Sequence, residues 1–197
     1  SLMEDIFTSE WFFDEKNIGT KIKSPVELIA GIQRMLPMKL VNEEALIVLQ
    51  RLLGQILFYP PNVAGWPGGK TWIDSSTLML RMRLPQLIND KDEMNMTPKD
   101  DDDQMMGNKN GNVANSTGKS IKGTKAIHAS VDWESYVKYF DKTSRDKLVN
   151  SMAGVLLQTK TAVDKEIIRQ YADESDRFSF IQSATIQIMS TPEYQLC

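Results

Sequence analysis

The sequence predicts an all-α fold, an irregular multi-helix bundle of about six or seven helices with a long Pro/Gly loop and a flexible polar insertion. Apolar residues recur three or four positions apart through most of the chain, and helix-capping patterns precede several of these stretches. No stretch shows the strict alternation that is typical of a half-buried β-strand. The 197 residues, of which 41% are hydrophobic and 25% charged, suit a single helical domain over residues 1–197.

The first predicted helix follows the capping pattern Ser24-Pro25-Val26-Glu27. Serine suits the N-cap, proline suits the first helical position, and glutamate at the third position completes a capping box. Because Pro37 cannot continue a helix, the helix is predicted to end at about Leu36. The residues expected along one face are Val26, Ile29, Ala30 and Gln33.

Two further helices are predicted on either side of a loop that is rich in proline and glycine. One runs from Asn42 to the segment Tyr59-Pro60-Pro61-Asn62, whose prolines end it. Its apolar stripe consists of Leu46, Leu49, Leu53 and Ile56. The other starts at the cap Asp74-Ser75-Ser76 and runs up to Pro85. It carries Leu78, Leu80, Arg81 and Leu84.

The last third of the chain carries four more stretches with helical spacing. Thr143 with Asp146, and Thr161 with Asp164, are capping patterns that open the second and third of these stretches. The fourth is predicted to stop before Pro192. The apolar residues of the four stretches are, in order, Trp133, Tyr136, Val137 and Phe140; Leu148, Met152, Val155 and Leu156; Ile167, Ile168 and Tyr171; and Phe178, Ile181, Ile188 and Met189.

A polar segment over residues 89–130 separates the two groups of helices. Residues 90–106 hold seven acidic residues against two lysines, whereas residues 107–125 hold four lysines and no acidic residue. A segment with so few apolar residues cannot bury enough surface to offset the entropy of ordering. We therefore predict a flexible charged insertion at 89–130 within the single helical domain.

Composition argues against several function classes. The net charge of -3 provides no basic field that would attract nucleic acid. The only cysteine is Cys197, and the only histidine, His128, lies in the polar segment without a recognisable nucleophile motif. Neither the acidic run at 100–103 nor the asparagine-rich stretch at 108–112 has the ligand spacing of a calcium-binding EF-hand loop. We predict no metal, no cofactor, no nucleic-acid partner and no membrane span in this fragment.

The stretch Ala64–Thr71, AGWPGGKT, fits a permissive spelling of the phosphate-binding loop. Such a loop requires a preceding buried strand, backbone N–H groups that cradle the phosphates, and a helix that begins at the Lys-Thr end. Here a helix precedes the loop, Pro67 removes one N–H, and the next helix begins near Ser75. The context therefore favours a rigid structural turn over a nucleotide hydrolase.

The same loop contains polar and aromatic residues that suit ligand binding. The candidate ligand-binding residues are Asn62, Trp66, Lys70, Trp72 and Asp74. Tryptophan rings can stack on a sugar while polar neighbours form hydrogen bonds, so a glycan is the ligand considered. Alternatively, the two tryptophans belong to the core and Asp74 only caps the next helix. No catalytic constellation is recognisable, and the sequence alone leaves these alternatives open.

Three stretches of the chain resemble a known bacterial family. They are Phe7–Phe13 with Lys23–Glu27; Gly54–Ile73, which reads GQILFYPPNVAGWPGGKTWI; and Ser190–Leu196, which reads STPEYQL. On these residues the chain resembles the C-terminal part of the domain-of-unknown-function 1800 (DUF1800) family. The resemblance implies a larger exported protein of the periplasm, cell envelope or exterior, with no assigned activity.

Two hypotheses about function follow. The first is a structural or protein-interaction role for a helical C-terminal module that docks on the remainder of its own full-length chain or on a partner protein. It is motivated by the amphipathic helices, and by a sequence that begins Ser1-Leu2-Met3 as a piece of a longer protein would. The alternative is part of an extracytoplasmic enzyme or glycan-binding site that the loop 60–74 lines.

Overall fold

A computed structural model of the chain describes residues 1–40, 44–89, 129–160 and 162–197. The described part is mostly helical, which confirms the predicted all-α class. Its α-helices are α1 (Leu2–Phe7), α2 (Pro25–Met35), α3 (Glu44–Leu53), α4 (Ser75–Ile88), α5 (Trp133–Lys138), α6 (Arg145–Leu156), α7 (Lys165–Tyr171) and α8 (Arg177–Met189). Short 3-10 helices lie at Glu10–Phe13, Glu15–Asn17, Gly69–Trp72 and Pro192–Gln195.

The described residues form two compact units, each with its own packing. The terminal unit consists of Ser1–Lys23 and Phe140–Cys197, and the central unit consists of Ser24–Tyr139. That the chain behaves as one helical domain over 1–197 stays a prediction.

Two short strands in the central unit were not predicted. The strands β1 (Met38–Leu40) and β2 (Ala129–Val131) pair in antiparallel fashion, with Met38 opposite Val131. The Asp132 N–H extends the pairing by donating to the Pro37 carbonyl at 2.7 Å. A three-residue strand is too short to show alternation, and its partner lies about ninety positions away, so the sequence pattern carries no signal.

Helix α2 has the predicted start and end. The Ser24 hydroxyl accepts from the Glu27 N–H, and the Glu27 carboxylate accepts from the Ser24 N–H at 2.7 Å, which completes the capping box. The helix ends at Met35 with Leu36 as its C-cap. The buried face differs from the predicted one, because Ala30 is exposed. The buried apolar residues of this segment are Leu28, Ile29, Ile32 and Leu36.

Helix α3 ends earlier than predicted. Its predicted start at Asn42 lies outside the described residues, and its last residue is Leu53. Gly54 has a φ of +88°, and the Gln55 N–H donates to the Gln50 carbonyl at 2.8 Å. This is a Schellman C-cap, in which a left-handed glycine closes the last turn. The prediction that the helix continues to Tyr59 is therefore wrong, because the glycine ends it before the prolines.

Helix α4 continues beyond the predicted stop at Pro85 and ends at Ile88. The extra turn buries Leu87 and Ile88, and this packing outweighs the missing proline N–H. Arg81 points into the same buried side and has no exposed surface. Its burial lowers the pKa of the guanidinium to about 10, because desolvation disfavours the charged form.

The two ends of the predicted insertion at 89–130 lie close together in the central unit. The Trp133 indole N–H donates to the Asn89 side-chain oxygen at 2.9 Å, and Ala129 and Ser130 belong to β2. Residues 90–128 lie outside the described residues, and with them His128, the acidic run at 100–103 and the segment 108–112. Adjacent anchoring points allow a long segment to be added at a modest entropic cost.

Helices α6, α7 and α8 pack together in the terminal unit. Leu148, Met152 and Leu156 are buried as predicted, whereas Val155 is exposed. The predicted cap Thr143 is replaced by Ser144, which precedes the first helical residue. In α7 the predicted Asp164 is the N-cap, and only Ile168 of its apolar residues is buried. The predicted Thr161 lies outside the described residues.

The two ends of the chain meet in the terminal unit. The Cys197 N–H donates to the Lys21 carbonyl, and the Lys23 N–H donates to the Gln195 carbonyl, each at 2.8 Å. The Lys23 ammonium donates to the Tyr194 carbonyl at 2.6 Å and lies 4.0 Å from the centre of the Tyr194 ring. These contacts join the first and last stretches on which the family resemblance rests.

Candidate functional site in the loop between α3 and α4

The loop between α3 and α4 opens with a tight turn at Ile56–Tyr59. The Tyr59 N–H donates to the Ile56 carbonyl at 3.0 Å, and the two residues form an isolated antiparallel bridge. The Gln50 side chain on α3 accepts from the Leu57 N–H at 2.7 Å. Hydrogen bonds therefore hold the turn both where Ile56 and Tyr59 face each other and at Leu57.

A second glutamine ties the loop to the start of another helix. The Gln55 side-chain oxygen accepts from the Val26 N–H in the first turn of α2 at 3.0 Å. This N–H has no partner inside its own helix, so the glutamine satisfies a group that would otherwise need water. Gly54 and Gln55 together end α3 and hold α2 beside it.

The second corner of the turn is occupied by Phe58, which has a φ of +64°. Within the described residues it is the only residue other than glycine with a positive φ. Its side chain is 89% exposed, and the neighbouring Leu57, Tyr59 and Val63 are exposed as well. Sequence reasoning did not single out Phe58. The aromatic-aromatic-proline order of Phe58, Tyr59 and Pro60 was the one visible signal of an exposed apolar turn.

The predicted ligand residue Asn62 holds its own turn. Its side-chain oxygen accepts from the Ala64 N–H at 2.8 Å, and its carbonyl accepts from the Gly65 N–H at 3.1 Å. Gly65 has a φ of +89°, which glycine adopts without a steric penalty. The side chain of Asn62 is exposed, and its oxygen already serves the backbone.

The AGWPGGKT stretch forms a turn that differs from a phosphate-binding loop. Helix α3 and the Ile56–Tyr59 turn precede it instead of a buried strand, and a short 3-10 helix covers Gly69–Trp72. The Thr71 hydroxyl donates to the Gly68 carbonyl at 2.8 Å, so this hydroxyl is engaged by the turn. Helix α4 begins only at Ser75, which leaves its N-terminus displaced from Lys70 along the chain.

The remaining predicted ligand residues have different environments. Trp72 is 7% exposed and therefore has no open ring face on which a sugar could stack. Trp66 is half-buried, and Lys70 and Asp74 are exposed. The structure brings Trp72 and Asp74 together through Thr77, whose hydroxyl donates to the Trp72 carbonyl at 3.2 Å and accepts from the Asp74 N–H at 2.8 Å.

Asp74 is the N-cap of α4. Its carboxylate accepts from the backbone N–H groups of Ser76 and Thr77, each at 2.8 Å. We expect Asp74→Ala to lower the free energy of unfolding by about 1 kcal/mol, whereas Asp74→Asn should change it little because asparagine caps equally well. Urea unfolding of the two variants measures this difference. Equal losses for alanine and asparagine would show that the charge matters instead of the cap.

The described residues also bear on metal and membrane sites. Across 1–40, 44–89, 129–160 and 162–197, no group of three or more His, Cys, Asp or Glu side chains is placed to hold a metal ion. Among the helices of these ranges, none is both long and apolar enough to cross a bilayer.

A protein-family model described as "Protein of unknown function (DUF1800)" matches residues 1–196. The chain belongs to this family. Comparisons with curated proteins and with solved structures gave no match. The family description assigns no activity, so the functional conclusion for this DUF1800 chain depends on its own geometry.

The longest of the three stretches that carry the DUF1800 resemblance divides into two kinds of residue. Gly54, Gln55, Gly65 and Trp72 have evident structural tasks, since they end a helix, bridge to α2, form a turn and fill the core. Phe58, in contrast, makes a costly turn and leaves its ring in solvent. Phe58 and its exposed neighbours are therefore the candidate functional site of the DUF1800 chain.

Proposed function

We propose that this chain is a helical protein-interaction module that docks on a partner protein through the turn at residues 56–63. The observation that supports the proposal most strongly is Phe58, which combines a positive φ with 89% exposure of its side chain. We call the apolar surface formed by Leu57, Phe58, Tyr59 and Val63 the docking turn.

Backbone strain at Phe58 argues for a role outside folding. A bulky residue in the left-handed region costs on the order of 1 to 2 kcal/mol, and glycine at the same position would avoid this cost. Burial of the ring does not offset the cost, because the ring is exposed. Strain of this kind concentrates at functional sites, where the surrounding structure holds it in place. The surrounding structure here is the Gln50 side chain and the Ile56–Tyr59 backbone bond.

The residues of the docking turn suit a protein surface with an apolar pocket. Aromatic side chains in the centre of an interface contribute much of its binding energy, and a rigid turn loses little entropy on binding. The Gln50 bond to the Leu57 N–H and the backbone bond between Ile56 and Tyr59 restrict this turn. A glycan site receives less support, because Trp72 is buried and the Asp74 carboxylate caps α4.

The proposal also includes the cellular location of the protein. We propose that the chain acts as the C-terminal module of a larger bacterial protein that is exported, and this rests on the resemblance alone. Fractionation of cells that express the full-length protein would test it. Recovery in the periplasm, envelope or medium is expected, and recovery in the cytoplasm would contradict it.

Photo-crosslinking from the docking turn tests the proposed function. A benzophenone amino acid replaces Phe58 in one protein and Met79 in another, since Met79 is also exposed and lies on α4 of the same unit. We expect a discrete crosslinked protein from position 58 that is lost when Val63→Ser is added, and no such product from position 79. Crosslinks of equal yield from both positions, or crosslinks indifferent to Val63→Ser, would contradict docking at the turn.

A further inference from the structure

The N-terminal residues of the terminal unit form a second apolar surface that the docking turn does not explain. Neither α1 nor the 3-10 helices at Glu10–Phe13 and Glu15–Asn17 have a buried residue. Trp11 and Phe13 are 68% and 70% exposed. The exposed large apolar residues of this segment are Leu2, Met3, Phe7, Trp11, Phe12, Phe13 and Ile18. We call residues 2–18 the aromatic segment.

Local contacts give the aromatic segment its form in spite of its exposure. The Phe7 and Phe12 rings lie edge to face with centres 5.0 Å apart, and the Phe12 and Phe13 rings do so at 5.3 Å. The Asn17 amide donates to the Trp11 carbonyl at 2.6 Å. Edge-to-face pairs of this kind contribute about 0.5 to 1.5 kcal/mol each beyond burial, so they favour this arrangement of the three rings.

Charge identifies the chemistry of the partner. The aromatic segment holds five acidic residues and one basic residue, Lys16. The acidic residues are Glu4, Asp5, Glu10, Asp14 and Glu15. A surface that is both apolar and acidic is repelled by anionic lipid headgroups and is complementary to an apolar groove with lysine or arginine at its rim.

We propose that the aromatic segment docks into an apolar groove with a basic rim on a partner protein. Trp11 and Phe13 enter the groove, and acidic residues of the segment face the basic residues of the rim. Glu4 pairs with the N-terminal ammonium at 3.0 Å and Asp14 with Lys16 at 3.7 Å, so Asp5, Glu10 and Glu15 are the carboxylates assigned to the rim. This surface belongs to the terminal unit and the docking turn to the central unit, so the two proposals rest on different residues and can fail separately.

The test uses the chain of residues 1–197 and two labelled synthetic peptides. Both peptides are amphipathic helices with the same leucine face, and their polar faces carry either lysine or glutamate. We expect the lysine peptide to bind at least about tenfold tighter by fluorescence anisotropy, with an affinity that falls as salt is added. Charge complementarity predicts both effects.

Variants separate the aromatic segment from the rest of the surface. The double variant Trp11→Ser/Phe13→Ser keeps all five carboxylates and should weaken lysine-peptide binding about tenfold, as is typical when interface aromatics are truncated. The matched control Val155→Ser/Tyr171→Ser removes exposed apolar residues elsewhere in the same unit and should leave binding unchanged. Phe58→Gly should also leave it unchanged.

Four results would overturn the proposal. The first is equal affinity for the two peptides, and the second is unchanged lysine-peptide binding by the variant Trp11→Ser/Phe13→Ser. The third is binding of the chain to phosphatidylcholine vesicles, and the fourth is a concentration-dependent dimer, where in each case the same double variant abolishes the effect. The third result would assign the aromatic segment to a membrane surface, and the fourth would assign it to a second copy of the chain.

Discussion

Leu84→Ala is expected to lower the free energy of unfolding by about 3 kcal/mol, within the range of 2 to 5 measured for buried leucines. Leu84 lies on α4 and has no exposed surface. Removal of its side chain forfeits the transfer free energy of the lost methyl groups and leaves a cavity on the buried side of α4. Urea unfolding followed by circular dichroism measures the loss.

The control for this variant is Leu78→Ala on the same helix. The sequence placed Leu78 and Leu84 together as apolar residues of α4, but Leu78 is 36% exposed. Its truncation should therefore cost less than about 1 kcal/mol, since less area returns to water and no closed cavity forms. A loss for Leu78→Ala as large as that for Leu84→Ala would mean that the buried face of α4 is assigned incorrectly.

Gly19→Ala is expected to destabilise the chain by about 2 to 4 kcal/mol through two separate effects. Gly19 has a φ of +71°, which an L-residue adopts only with strain. A Cβ atom at this position would also overlap the Cγ2 atom of Thr159 in the same unit. Thr159 is β-branched, so its methyl group cannot turn aside freely.

Two further variants separate the strain from the overlap. Gly54→Ala introduces a Cβ at a φ of +88° with no atom within 4 Å, so it should cost only about 1 to 2 kcal/mol. Thr159→Ser removes the Cγ2 methyl and should recover part of the loss in the Gly19→Ala background. A double-mutant cycle by urea unfolding measures this coupling. Additive effects of Gly19→Ala and Thr159→Ser would contradict the overlap.

Local sequence signals predicted helix starts well. The capping box at Ser24 and the cap at Asp74 hold backbone N–H groups as predicted. Asp164 was predicted as the second residue of a capping pattern and is itself the N-cap of α7. Each of these caps is formed by residues within one helical turn, so a short stretch of sequence is enough to predict it. The stop before Pro192 is equally local, and α8 ends at Met189.

Helix ends and buried faces were predicted less well, because they depend on competition between local preference and packing. Gly54 ends helix α3 before the prolines that were predicted to end it. Helix α4 continues beyond Pro85 because the extra turn buries Leu87 and Ile88. Helix α1 was not predicted, since its apolar residues face solvent and its length is only six residues. The pairing of β1 with β2 joins distant segments of three residues each, and neither segment has a sequence pattern that predicts a strand.

The candidate site could be located only in part from the sequence. The sequence predicted a candidate ligand-binding site in the Pro/Gly loop, at Asn62, Trp66, Lys70, Trp72 and Asp74. The positive φ at Phe58 goes with two hydrogen bonds, from the Leu57 N–H to the Gln50 side chain and from the Tyr59 N–H to the Ile56 carbonyl. Phenylalanine has no preference for this conformation, so the sequence does not predict it. The structure therefore moved the candidate site from the end of the loop to its beginning.

Phe58→Gly separates the contribution of Phe58 to folding from its contribution to docking on the partner protein. Glycine adopts a φ of +64° without strain, so we expect the free energy of unfolding to rise by about 1 kcal/mol. The same change removes the exposed ring, so recovery of the protein crosslinked at the turn should fall at least about tenfold in affinity capture. Unchanged recovery with the glycine variant would contradict the account, and so would a loss of stability.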